Sequence, residues 1–209
     1  MTTSRLKIVG LGGSLGARSQ SRAALLTALV GAEEAGAETE LLDLRELGLP
    51  MYEPDAEAAS EPTLSMVEAV YCADGLLWSS PLYQGSISGA FKNALDWLKL
   101  LSDRDPAYLT DKVIGLISAA GGTQGLQAIN TMEFCVRALR GWAVPLVVPV
   151  ASAARVFDEV GRVTDEAVER QLKMLGAEVV RVAEHFVVEE APDHAVVCAR
   201  AAERVAAAA

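Results

Sequence analysis

The residues whose types and spacing could do chemistry fall in three short runs. The first, Gly12 to Ser21 (GGSLGARSQS), sets Gly12, Gly13 and Gly16 among Ser14, Ser19 and Ser21, with Arg18 and Gln20 between them. Hydroxyls and glycine-opened amides ahead of a helix make an anion site, because the free N–H groups and positive dipole end of the helix point back at the loop. The second run, Pro81 to Ser86 (PLYQGS), joins Tyr83, an apolar ring with a polar tip, to Gly85, where backbone can approach a flat ligand closely. The third, Ser118 to Gly125 (SAAGGTQG), is another glycine-rich turn. None of the three pairs a nucleophile with a base. His185 and His194 lie near the end of the chain and have no second pair of ligands for zinc.

Two well-known phosphate loops can be tested on the first run. A P-loop closes on Lys-Ser or Lys-Thr, and no lysine occurs between Lys7 and Lys92. A dinucleotide fingerprint beginning at Gly10 and Gly12 requires glycine where Leu15 stands, although Asp43 closes the next strand as a ribose-binding acid would. Read alone, the run is also consistent with an ordinary strand-to-helix turn capped by serine.

Each run must be placed by the elements around it. Ile8, Val9 and Leu11 are apolar without alternation, as in a central parallel strand, and Leu25, Leu26, Leu29 and Val30 give the next helix an apolar stripe. Glu38 to Leu44 reads as a second strand and Arg45 to Ser60 as a long loop. A helix follows with Leu64, Val67, Val70 and Tyr71 inward, then a short strand, Gly75 to Ser79, and a loop, Ser80 to Ser88. The next helix starts near Gly89 and buries Phe91, Ala94, Leu95, Leu98 and Leu101; Lys112 to Ala119 is the fourth strand. Leu126, Ile129, Met132, Val136 and Leu139 stripe the helix after it. Trp142 to Val150 is the fifth strand, and Pro145 confines it to a sheet edge. Ala151 to Val163 is irregular, and a last helix starts at Thr164 to Glu166. An edge fifth strand suits the order 2-1-3-4-5, in which strands one, three and four end on one rim beside the topological switch point. The three runs then converge.

Composition bounds the rest. The chain has 209 residues, 51% hydrophobic and 22% charged, which suits one soluble domain with a real core. A formal charge of −10 argues against nucleic acid or an anionic membrane as partner, so any phosphate must be held by local groups. There is no apolar run long enough to span a membrane and no signal-like start, which predicts a cytoplasmic protein. Cys72, Cys135 and Cys198 are widely spaced, and each is expected to be a small buried hydrophobe.

From about Lys7 to Phe186 the chain resembles the NAD(P)H-dependent FMN reductase family of flavodoxin-like proteins. The resemblance is carried by Gly13-Ser14-Leu15 with Ser19, by Pro81-Leu82-Tyr83-Gln84-Gly85-Ser86-Ile87-Ser88-Gly89 leading into Lys92-Asn93-Ala94-Leu95-Asp96-Trp97, and by Ser118-Ala119-Ala120-Gly121-Gly122. It implies an α/β fold, a flavodoxin-like doubly wound five-stranded parallel sheet in the order 2-1-3-4-5 with helices on both faces. It implies FMN held at the phosphate by Ser14 and Ser19, with Arg18, Gln20 and Ser21 expected beside them in the same loop, along the ring by Pro81, Leu82, Tyr83, Gln84, Gly85 and Ser86, and on the ring's other side by Ser118, Gly121 and Gly122. NADPH or NADH would be the co-substrate, a small molecule the electron acceptor, and the assembly a homodimer or homotetramer. No side chain is assigned as an acid, base or nucleophile, and no metal is expected.

Residues 1–187 would form the FMN-binding reductase domain and residues 188–209 an Ala-rich tail. Two positions depart from the family pattern. Gly16 stands where arginine is usual and Ser21 where asparagine is usual, which leaves Arg18 as the nearest cation for the phosphate. The competing readings are an electron carrier of the flavodoxin kind and a Rossmann-type NAD(P) dehydrogenase.

Overall fold

A computed structural model describes residues 5–55, 58–186 and 198. Five parallel strands, β1 (Lys7–Gly12), β2 (Glu38–Asp43), β3 (Gly75–Tyr83), β5 (Val113–Ala119) and β6 (Trp142–Val150), lie in the order β2-β1-β3-β5-β6. A two-residue strand, β4 (Ser86–Ile87), pairs antiparallel with the end of β3. This is the expected order with one hairpin added. The register sets Gly12 beside Asp43 and Ser79, Ser80 beside Ser118, and Ala119 beside Val150, so the strand ends share one rim.

The buried strands feed two cores, because successive side chains point to opposite faces. On one face Val9, Leu11, Leu76, Trp78, Ile114 and Leu116 pack beneath α3 (Glu61–Tyr71), α4 (Gly89–Trp97) and α5 (Leu126–Ala138). On the other, Ile8, Leu77, Val113 and Ile117 meet α1 (Gln20–Glu34) and α7 (Glu166–Ala183). Burying side chains of this size is worth about 1.5–3 kcal/mol each against an exposed reference. That term fixes the register wherever both faces are covered.

Local chemistry starts the helices where the sequence places them. Ser19, Ser88 and Asp165 each accept a backbone N–H as side-chain caps of α1, α4 and α7. Pro145 lies where β6 slips register against β5, between the pairs Ile114–Ala143 and Leu116–Val147. The missing N–H costs little at this edge.

Four expectations need correction. Gly75 to Ser79 is only the first half of β3, and Ser80 to Ser88 is largely a hairpin in which Gln84 (φ 49°) and Gly85 (φ 83°) form the turn. Two positive φ values are what a two-residue hairpin needs to match strand twist. The second strand ends at Asp43, which caps the short helix α2 (Leu44–Leu47) at the start of the predicted loop. The irregular segment after β6 holds another short helix, α6 (Ala153–Val156), and a bridge from Phe157 to Val163.

The cysteines differ most. Cys72, the residue after α3, is disulfide-bonded to Cys198 across 126 residues of sequence with Cα atoms 5.3 Å apart; Cys135 is free and half-buried. Widely spaced cysteines can meet when the chain returns to one place, which spacing alone does not reveal. Apart from Cys198, the tail over residues 188–209 lies outside the described residues. Among those residues no helix is long and apolar enough to cross a membrane.

Candidate functional site

The first loop is held from below and left open above. Gly13 N–H bonds to the carbonyl of Ser79 at 3.1 Å, and Gly16 N–H to Ser14 Oγ at 3.4 Å. Ser19 Oγ accepts Arg22 N–H at 3.2 Å and lies 3.1 Å from Ser21 Oγ. Ser21 is buried, and its carbonyl accepts the Ser79 hydroxyl at 2.8 Å. Among the described residues, the N–H groups of Leu15, Ala17, Arg18, Ser19 and Gln20 have no protein acceptor. A run of open amides at the dipole end of a 15-residue helix is an anion cradle.

A charge arrangement missed by the sequence reading lies beneath this cradle. Asp43, 4% exposed, accepts Arg22 Nε at 2.5 Å and Arg45 N–H at 2.9 Å. Arg45 Nη1 donates to the carbonyl of Leu15 at 2.7 Å, tying the loop to β2's end. Asp43 is thus committed to Arg22 and to the α2 cap and is not offered to a ribose. That removes the acid the dinucleotide reading relied on. The three guanidiniums of Arg18, Arg22 and Arg45 make the site locally basic in a chain of net charge −10. They sit on separate elements, and only the anion-loop setting of Arg18 hinted at such a cluster.

The hairpin stands next along the rim. Ser80 is buried, accepts Ser88 N–H at 3.0 Å and donates to the carbonyl of Pro81, fixing where the hairpin leaves the sheet. Pro81 is buried and Leu82 half-buried, while Tyr83, Gln84 and Gly85 are exposed at the tip. Ser86 Oγ lies 3.5 Å from Thr131 Oγ1 on α5. Behind it, Asn93 donates to the carbonyl of Pro50 and accepts Tyr52 N–H, and Trp97 Nε1 donates to that same carbonyl. Asn93 and Trp97 therefore support the hairpin's helix.

The third loop is exposed over residues 121–124 and braced at both ends. Ser118 is fully buried and donates to the carbonyl of Gly125 at 2.8 Å. Ser152 N–H and Ala153 N–H bond to the carbonyls of Gly122 and Ala120. The segment after β6 thereby steadies the loop.

The structure brings the three runs to one rim but gives their members different tasks. Arg18, Ser19, Gln20, Tyr83, Gln84, Gly85, Gly121 and Gly122 line the open side, whereas Ser14, Ser21 and Ser118 are buried, Ser14 accepting Gly16 N–H and the other two turned inward to hold the loops. A cavity of about 320 Å³ adjoins the first loop, between α1 and residues 154–161, and includes Arg18, Ser19 and Gln20. The sequence signal for its far wall is the turn Asp158 to Gly161 between Phe157 and Val163.

A family model described as NADPH-dependent FMN reductase matches residues 6–155. The NADPH-dependent FMN reductase ArsH of Rhizobium meliloti (strain 1021) is 33% identical over 162 residues, 77% of this chain and 65% of that one. The NAD(P)H-dependent FMN reductase PA1204 of Pseudomonas aeruginosa (strain ATCC 15692) is 30% identical over 176 residues, 81% of this chain and 93% of that one. The chain thus spans just under two thirds of the length of the ArsH relative. Among solved structures, a flavodoxin, the WrbA-like protein from Agrobacterium tumefaciens, superposes with a TM-score of 0.62 at 20% identity, over 87% of this chain and 99% of that one. At that identity the likeness shows the flavodoxin-like fold alone.

Proposed function

The chain belongs to the NADPH-dependent FMN reductase family, and from that premise we propose that it is an FMN-dependent oxidoreductase using NADPH or NADH to reduce a small-molecule acceptor such as free flavin or a quinone. The observation that carries the reading is the set of open amides at Leu15 and from Ala17 to Gln20, on the same rim as the Tyr83–Ser86 turn and the 120–124 loop. The cradle fits a phosphate monoester, since one short loop carries open N–H donors, the Ser19 hydroxyl and the Arg18 guanidinium.

Bound FMN would supply the redox chemistry, taking a hydride at N5 from the nicotinamide and returning the electron pair to the acceptor. The chain's own work is positional. Leu15 to Gln20 hold the phosphate, with Ser21 setting the Ser19 hydroxyl. Pro81 to Ser86 border one side of the ring, and the tip amides at Gln84 and Gly85 face solvent, where they can donate to a ring nitrogen or carbonyl. Gly121 and Gly122 border the other side, held there by Ser118. No acid or base is required of the protein for hydride transfer, and none is assigned.

Donor and acceptor would use the same exposed rim in turn, which makes the kinetics ping-pong. The protein would act in the cytoplasm as a homo-oligomer, with residues 1–187 forming the reductase domain. The test is the visible spectrum of the purified protein loaded with FMN under anaerobic conditions. NADPH or NADH should bleach the flavin band within seconds, and added quinone should restore it. A bound flavin that neither nicotinamide bleaches would make the protein an electron carrier instead. Intersecting double-reciprocal lines would remove the ping-pong order.

A further inference from the structure

The cavity shares Ala17 to Gln20 with the cradle, and its far part, bordered by Leu26 and residues 154–161, is left without a task by the flavin reading. It runs from the first turn of α1 to the turn at residues 157–161, and its volume of about 320 Å³ is that of a small-ligand site. Its walls divide by chemistry. Ala23 and Leu26 on α1 and Phe157 on the opposite side are apolar, Glu159 brings a carboxylate, and Arg18 stands where cavity and cradle meet. Among the described residues neither Arg18 nor Glu159 has an ion-pair partner, whereas Arg22 is committed to Asp43. An apolar slot suits a heterocyclic base, a carboxylate suits a ribose diol, and a guanidinium at the mouth suits a phosphate.

We propose that this cavity is an adenosine-nucleotide subsite, with the base against Leu26 and Phe157, the ribose hydroxyls at Glu159 and a phosphate at Arg18. The assignment rests on the flavin cradle only for its neighbour. Two sources share the chemistry: the adenosine end of NADPH, and the adenylyl half of FAD, whose pyrophosphate would extend from the same cradle. In either case Arg18 serves both compartments.

Calorimetry with adenosine 5′-monophosphate and adenosine 2′,5′-bisphosphate, on the full chain loaded with FMN and again stripped of flavin, tests the subsite. At least one nucleotide should bind. Leu26→Glu, which sets a carboxylate where the apolar face of the base would lie, should weaken that binding about ten-fold or more by removing the apolar contact and desolvating the new charge, with FMN affinity as the control for folding. Val160→Glu on the opposite wall should do the same if Leu26→Glu misfolds. If NADPH is the source, these variants raise its KM by a similar factor. If FAD is the source, the flavin-free wild type binds FAD more tightly than FMN and the variants erase the difference. Failure of both nucleotides to bind, binding unchanged by both variants, or no movement in either arm overturns the proposal. Nucleotide binding by a protein that does not bind FMN would overturn the cradle and leave the subsite standing.

Discussion

At the rim where the strands begin, polar groups are closed off. Lys112 is buried, donates to the carbonyl of Ala73 at 2.7 Å and lies 5.7 Å from the centre of the Tyr71 ring. The Tyr71 hydroxyl donates to the carbonyl of Asp105, Arg104 sits over the same ring while pairing with Glu68, and Asp74 accepts Lys7 N–H. The Cys72–Cys198 disulfide fastens a distant part of the chain there. At the rim where the strands end, the amides of Leu15 and of Ala17 to Gln20 are open and Tyr83, Gln84 and Gly85 are exposed. One sheet thus has a rim that holds and an open rim that, in the proposed function, binds. The asymmetry follows from connectivity, since each strand-to-helix loop delivers a helix N-terminus to the second rim.

If the two rims are independent, damage to the holding rim should cost stability and spare flavin affinity. The largest expected effect is loss of the disulfide. Cys72→Ser, or reduction by a thiol reagent, should lower unfolding free energy in urea by about 2–4 kcal/mol and leave the FMN dissociation constant, read by quenching of flavin fluorescence, unchanged. A parallel fall in FMN affinity would show the rims to be coupled.

The next effect belongs to the binding rim. Arg22→Ala would leave the buried Asp43 carboxylate facing the phosphate cradle without its guanidinium, and FMN affinity should fall about 30-fold, near 2 kcal/mol. Asp43→Asn in the same chain should recover most of that loss, because the repelling charge is gone. No recovery would mean that Arg22 touches the phosphate directly.

A matched pair of glycines gives a sharper comparison at smaller cost. Gly85 (φ 83°) turns the hairpin at the binding rim, and Gly36 (φ 97°) turns from α1 into β2 at the holding rim, with open space around its Cβ position. Either one replaced by alanine should lose about 1 kcal/mol of stability to backbone strain. Only Gly85→Ala should also weaken FMN, measured by the same fluorescence titration.

The sequence disclosed the parts of this asymmetry that are local in the chain. Pro145 placed β6 at an edge, serines before apolar stripes placed the starts of α1 and α4, and apolar strands without alternation announced a sheet covered on both faces. The hairpin was hidden because Gln84-Gly85 is a weaker turn signal than Asn-Gly, so Pro81 and Leu82 read as loop. Arg22 and Asp43 went unpaired because they belong to different elements and meet only once α1 lies on β2. Cys72 and Cys198 meet for a reason that lies wholly in the path of the chain. Ser21 and Ser118 carry the residue type of ligand donors, and only their burial shows that they work inward.

The smallest effect probes how dry the holding rim is. Burial pushes the Tyr71 phenol above its ordinary pKa of 10.0, with Asp105 and Glu68 adding to the rise and Arg104 opposing it. The folded protein therefore keeps a proton that the unfolded chain releases. The associated stability is fully present below pH 10.0 and is lost as pH rises through the raised folded value. Tyr71→Phe lacks this titration and also lacks the hydrogen bond to Asp105, so at pH 8 it should be less stable by about 1 kcal/mol. Urea midpoints measured at pH 8, 10 and 11 should show the gap between wild type and variant narrowing as pH rises. A constant gap would mean that water reaches the phenol in the folded state, and the rim would then be less closed than its hydrogen bonds imply.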